Sequence, residues 1–314
     1  MAHTLSHFIP ILPFSPCHSS LSTHQRSRLP SLRSRASSIS SQMSDQRPRF
    51  KDFPYVSDPI KHLMLDLVSM VEMRLESQLL PCTVPQDIEY YENDTGTAHG
   101  SIFVRSGVSS SPIDFMFSSW LHCKLPTGGS LNITSLLAYM NDSTDTPQLL
   151  IEFIQSSPTS LVILLDLPAR RDLVLHPDYL KTFYEETLLE KQRQLLLGIP
   201  EIQPYVSPSL YIRCVFSPTA AVIRIDTTAT GGEDRLGEIV RDNVSAAAKE
   251  VLGIWLDFCE LSNRMCNEEA DRVVLKKRDS MFKKKSIEID LGSSLPRMFG
   301  QETADRIIRV LLGT

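Results

Sequence analysis

The stretch from Gln148 to Asp166, QLLIEFIQSSPTSLVILLD, leaves the chain few ways to fold. It reads as two apolar β-strands joined by a Ser-Ser-Pro-Thr turn. Side chains alternate along a strand, so Leu149, Ile151 and Phe153 take one face and Leu150, Glu152 and Ile154 the other. Both faces are apolar, so both must be covered, and the hairpin is too oily for a sheet edge. Glu152 is the one ionisable side chain among them. A carboxylate stripped of hydration there has its pKa pushed up, toward a value useful for giving a proton. The competing reading is a structural acid paired with an arginine or a backbone amide.

Around this hairpin the chain alternates helix and strand signals. Asp58-Pro59 opens a helix as N-cap and first residue. Ile60, Leu63, Met64, Leu67, Val68, Val71, Leu75 and Leu79 recur at three- and four-residue steps up to Pro81, which makes one apolar stripe. Residues 87–100 read as a polar loop. Strands are expected at 102–104, 113–124 and 131–139, before the hairpin. Their short connections leave no room for crossover helices, so neighbours are antiparallel. A second helix follows His176-Pro177-Asp178 and runs to about Leu197. Strands are then expected at 209–215 and 221–226, and helices from Arg235 onward. The pattern is one α+β domain over residues 50–314, a mainly antiparallel sheet with helices on both faces.

Residues 1–44 differ from the rest. They hold Arg26, Arg28, Arg33 and Arg35, many serines, and no Asp, Glu or Lys. That composition is expected of a plastid transit peptide. A net charge of −5 argues against a general nucleic-acid binder. No run of about eighteen apolar residues is present, so no membrane-spanning helix is expected. The 6 cysteines form no Cys-x-x-Cys pair and read as small buried hydrophobes rather than a metal or disulfide framework. There is no dinucleotide fingerprint, Walker A loop, G-x-S-x-G elbow or H-E-x-x-H.

Longer runs carry a resemblance. DFPYVS at 52–57, SPIDF at 111–115, WLHCKLPTGGSLNIT at 120–134, the whole of 152–181, PYVSPSL at 204–210, FSPT at 216–219, KSIEID at 285–290 and LPRMFG at 295–300 resemble the red chlorophyll catabolite reductase family of plants. The likeness spans residues 50–312. It implies an α/β/α sandwich related to ferredoxin-dependent bilin reductases. It also implies a chloroplast enzyme that reduces a methine-bridge double bond of an open-chain tetrapyrrole, red chlorophyll catabolite, to the primary fluorescent catabolite. Electrons would come singly from reduced ferredoxin as an external donor, with no flavin, metal or nicotinamide bound. Members of the family form homodimers and work beside pheophorbide a oxygenase near the light-harvesting antenna. The rival from a different class is a non-catalytic carrier that sequesters phototoxic linear tetrapyrroles. A scaffold for other catabolic enzymes is a third reading.

The resemblance places the family's catalytic carboxylates at Glu152 and Asp290, and a substrate-touching position that influences the protonated face at Phe216. The residues alone add further candidates. His122 and Asp114 sit in strands and could relay protons. Arg213 and Arg224 could meet the substrate's propionate. Ferredoxins are acidic, and Lys276, Lys277, Arg278, Lys283, Lys284 and Lys285 form the densest basic run, so this run is the expected dock. Each has an ordinary alternative: a core aromatic, a satisfied strand histidine, a turn-capping Asp, or a solvated helix face.

Overall fold

The computed structural model describes residues 50, 52–126, 128–261 and 269–312; the transit segment expected at 1–44 lies outside the described residues. Eight strands form one sheet: β1 (Tyr90–Glu92), β2 (Ala98–Ser106), β3 (Ile113–Lys124), β4 (Ser130–Met140), β5 (Leu149–Ser157), β6 (Ser160–Asp166), β7 (Ile202–Pro204) and β8 (Ala221–Asp226). Their spatial order is β1-β2-β3-β4-β5-β6-β8-β7, and every neighbouring pair is antiparallel. The hairpin of β5 and β6 lies inside the sheet, between β4 and β8. Its double apolar pattern demands that place.

Helices cover both faces. The first face carries Trp120, Leu136, Ile151, Phe153, Ile163 and Ile223. It packs on helices α1 (Asp58–Leu75), α2 (Leu189–Leu197), α4 (Gly232–Ile239) and α5 (Ser245–Glu260), with α3 (Leu210–Val215) lying elsewhere in chain order. The apolar stripe of α1 is buried as its spacing requires, from Ile60 to Leu75. The second face carries two smaller apolar groups. One joins Ile102, Phe115 and Tyr139 to α6 (Glu269–Ser286), α7 (Gly292–Phe299) and α8 (Gln301–Leu312). The other joins Leu150, Ile154, Val162 and Leu164 to Tyr205 and Phe216.

A polar clamp ties α6 to the β4–β5 connection. Arg170 is fully buried and donates to the carbonyls of Asn141 (2.8 Å) and Thr144 (2.6 Å). It also grips Asp279 of α6 through Nη2 (2.5 Å) and Nε (3.1 Å). Gln148 donates to the same carboxylate at 2.9 Å. A buried guanidinium needs such a full set of acceptors.

The structure departs from the sequence pattern in four places. Residues 210–215 form the helix α3, not a strand, because the Ser209 hydroxyl accepts from the Ile212 N–H (3.3 Å) and caps it. A short apolar run does not by itself separate helix from strand. The polar segment 87–100 contains a helical turn (Gln86–Glu89), β1 and the start of β2, and β7 is also additional. The helix expected from 177 to 197 is broken into a turn (Pro177–Leu180), a π-turn (Lys181–Glu185) and α2.

Candidate active site

The sheet's register puts Ile102, Ser119, Ser135, Glu152 and Leu164 in one transverse row on the second face. Directly paired residues share a face, so this row forms a floor. Ile287, Leu291, Leu295, Ile307 and Leu311 of the C-terminal helices form the opposing wall. Between floor and wall lies an open cavity of about 840 Å³ counted out to its mouth. A concave, mostly apolar space with a few converging polar groups is the usual form of a small-molecule site. On the first face the corresponding space is about 240 Å³, lined mostly by apolar side chains, with Glu72 held 3.9 Å from Arg105. The second face thus holds the roomier cavity, and Glu152 lines it.

Glu152 is half-buried and lines this cavity. Its Oε1 accepts from the Ser135 hydroxyl at 2.9 Å. Loss of hydration raises its pKa to about 7, and the Ser135 bond pulls only weakly the other way. Placed among leucines and isoleucines, the group exchanges a proton near neutral pH. Tyr91 forms part of the rim, lying edge-on to Phe299 at 4.8 Å and 80°. Its ring fits because Gly100 is its cross-strand partner: a Cβ on Gly100 would stand 2.3 Å from the ring.

Asp290 lies in a π-turn, Ile287–Leu291, between α6 and α7. Its side chain lies outside the described residues, while Ser286, Ile287, Leu291 and Ser294 around it all line the cavity. The chain thus carries that segment to the same space as Glu152. Phe216 is half-buried against Leu150, Ile154 and Leu164, the apolar neighbours of Glu152 on this face.

His122 does not join them. In β3 the cavity takes Phe117, Ser119 and Leu121, and His122 alternates to the opposite face. There its Nδ1 meets Asn132 Oδ1 at 2.8 Å, and its ring stacks on Tyr55 at 4.5 Å beside its cross-strand partner His99, which stacks on the same ring at 4.3 Å. Burial lowers its pKa. It is buried on the face away from the cavity, so the structure does not bring it together with Glu152. Asp114 is exposed and lies 3.6 Å from Lys283 Nζ.

Arg213 is exposed on α3. Arg224 shares the cavity face through its pairing with Val162, two strands from Glu152, and bonds Asp226 at 3.1 Å. The basic run is divided. Lys276 and Lys277 are exposed on α6, and Arg278 is half-buried. Lys283 sits 4.0 Å over the Phe115 ring, where burial lowers its pKa. Lys284 and Lys285 both pair with Glu288, at 3.8 and 2.8 Å.

Asp166 was not singled out by sequence, although it ends the central hairpin. It is 2% exposed, and its pKa is raised to about 7 by burial. Among the described residues no group of three His, Cys, Asp or Glu side chains is placed to hold a metal ion, and no helix is long and apolar enough to cross a membrane.

Comparison with known proteins shows the family. A family model described as "Red chlorophyll catabolite reductase (RCC reductase)" matches residues 59–312. The chloroplastic red chlorophyll catabolite reductase of Arabidopsis thaliana is 50% identical over 302 residues, covering 95% of this chain and 94% of that one. Its chloroplastic rice counterpart, red chlorophyll catabolite reductase 1 of Oryza sativa subsp. japonica, is 49% identical over 245 residues, covering 77% and 73%. Among solved structures, tomato phytochromobilin synthase in complex with biliverdin superposes with a TM-score of 0.62 over 80% of this chain and 82% of that one. At 16% identity that match speaks for the fold alone. The chain belongs to the red chlorophyll catabolite reductase family.

Proposed function

We propose that this chain reduces red chlorophyll catabolite, an open-chain tetrapyrrole, at a methine-bridge double bond, using electrons from reduced ferredoxin. The carbon–carbon double bond becomes single and two C–H bonds form. Two protons enter, and two ferredoxins are each oxidised by one electron. The observation that carries the reading is Glu152: one carboxyl with a pKa near 7, in an apolar cavity open to a ligand. The names of the family and its relatives support the substrate class, and ferredoxin as donor is what the resemblance implies.

In this reading the floor and wall hold the flat pigment away from bulk water, and Glu152 delivers a proton to the bridge. Asp290 is the second acid, either donating or biasing Glu152 by its charge. Phe216 borders the pigment. Arg224, on the cavity face, or Arg213 pairs with its propionate. Lys276 and Lys277 offer exposed positive charge for an acidic ferredoxin. The chain acts in the chloroplast, as its relatives' names state of them, in the stroma or against the thylakoid. Pheophorbide a oxygenase and the antenna are neighbours, and a homodimer is the working unit.

The test is an anaerobic assay with reduced ferredoxin and red chlorophyll catabolite, read as new blue fluorescence. Turnover that survives Glu152→Gln combined with Asp290→Asn would remove these two residues from the mechanism. Binding without turnover by the unaltered protein would favour a carrier.

A further inference from the structure

Asp166 closes β6 on the same face as Glu152. It pairs with Leu150, two residues before Glu152, and Glu152 pairs with Leu164, two residues before Asp166. The two acids are therefore diagonal neighbours, with backbones about 7–8 Å apart. Glu152 opens onto the cavity, whereas Asp166 is sealed at 2% exposure. Both of its oxygens are engaged by one distant residue. The Ser217 hydroxyl donates to Oδ1 at 2.5 Å, and the Ser217 N–H donates to Oδ2 at 3.1 Å.

This grip sits directly beside Phe216. At Phe216 the chain leaves α3 and turns extended (φ −65°, ψ 141°). One residue later it is fastened to β6 by Asp166, and Ser217 Oγ also meets Thr219 Oγ1 at 3.2 Å. Phe216 packs against the apolar cluster of Leu131, Leu150, Ile154, Val162 and Leu164, in which Leu150 and Ile154 flank Glu152 on its face of β5 and Leu164 is its cross-strand partner. A ring on a short turn has freedom to swing unless the turn is fixed, and hydrogen bonds to a carboxylate are among the stronger means of fixing it.

We propose that Asp166 is a positioning residue of this site: by holding Ser217 through two hydrogen bonds it fixes the Phe216 ring beside Glu152, and so sets how the substrate lies over the proton donor. The inference rests on the reductase reading above. Reducing the bridge converts a trigonal carbon into a stereocentre, so pose and product configuration are linked. A pigment that tilts or flips presents its other face to Glu152.

The experiment compares Asp166→Ala, Asp166→Asn, Ser217→Ala and Phe216→Ala with the unaltered protein. Two readouts are taken: the epimer ratio of the reduced product in the ferredoxin assay, and the induced circular dichroism of bound red chlorophyll catabolite. Asp166→Ala should lower the epimer ratio by about tenfold and change the dichroism, as expected when a charge-assisted bond is lost. Phe216→Ala should do the same, and combining the two should add little. Asp166→Asn keeps an acceptor for the Ser217 N–H and should recover most of the ratio. Ser217→Ala, which leaves the backbone bond, should fall between and serves if Asp166→Ala does not fold. A folded Asp166→Ala, or Ser217→Ala in its place, with unchanged ratio and dichroism overturns the proposal. An unaltered protein that binds the pigment without reducing it overturns the reductase reading instead, and dichroism then judges Asp166 alone.

Discussion

Phe153 and Glu152 are neighbours in β5 with opposite fates. Phe153 is 1% exposed in the large core against α1 and α5, while Glu152 looks across an open cavity at the C-terminal helices. The two faces of the sheet divide labour in the same way. The first is the more closely packed and holds the largest of the three buried apolar clusters. The second is split into two lesser apolar groups with a space between them, and an acid stands in the gap. A sheet buried on both sides can keep one side imperfectly packed because the other is complete.

That contrast is most simply broken by substituting the two neighbours. Phe153→Ala should cost about 3–5 kcal/mol of stability by leaving a cavity in the dense face, while molecules that stay folded keep their turnover; chemical denaturation alongside activity per folded molecule checks this. Glu152→Gln should do the reverse. Turnover should fall by about a hundredfold or more, since a positioned acid contributes at least that much, with the melting temperature at neutral pH unchanged or higher.

The faces should also answer pH with opposite signs. Glu152 and Asp166 have folded-state pKa values raised to about 7, so the folded state binds more protons than the unfolded one between their ordinary values and 7. Their stabilising contribution is complete at low pH and is lost as pH rises to about 7. His122 is lowered, so its contribution is complete above the ordinary histidine value and is lost as pH falls below it. Melting temperatures measured from pH 5 to 8 should therefore lose part of their decline between pH 5 and about 7 in Glu152→Gln, and part of their fall below the ordinary histidine value in His122→Phe. Turnover in the unaltered protein should decline above about pH 7 as Glu152 ionises.

A smaller change sharpens the rim of the open face. Gly100→Ala places a methyl inside the Tyr91 ring position and forces that ring to move. KM for the pigment should rise several-fold, at a stability cost of about 1–3 kcal/mol, and the same substitution at Gly253, where nothing stands within 4 Å, should leave KM alone.

Much of this was visible in local patterns. The alternation in 149–154 gave the two faces and singled out Glu152, and the three- and four-residue steps from Ile60 gave α1. What stayed hidden depends on distant pairing. Asp166 acquires its role from Ser217, 51 positions away, and nothing in either segment announces the other. Ser135 matters because β4 pairs with β5 in one register. The face that His122 takes was hidden because β3 is apolar on both faces, so alternation could not say which side faces the cavity. For α3 the deciding feature was one serine cap, against a run whose β-branched residues suit a strand equally well.

The clamp between Arg170 and Asp279 has a consequence in time. The hairpin, its acid and the first core come from the middle of the chain, but the wall that turns Glu152's surroundings into a chamber comes from its final helices. As the protein is synthesised, the body of the sheet is complete in length well before those helices exist. Competence is conferred last, when Asp279 reaches a guanidinium already waiting in the loop, and a molecule cut short of that residue would be a finished frame with no room to work in.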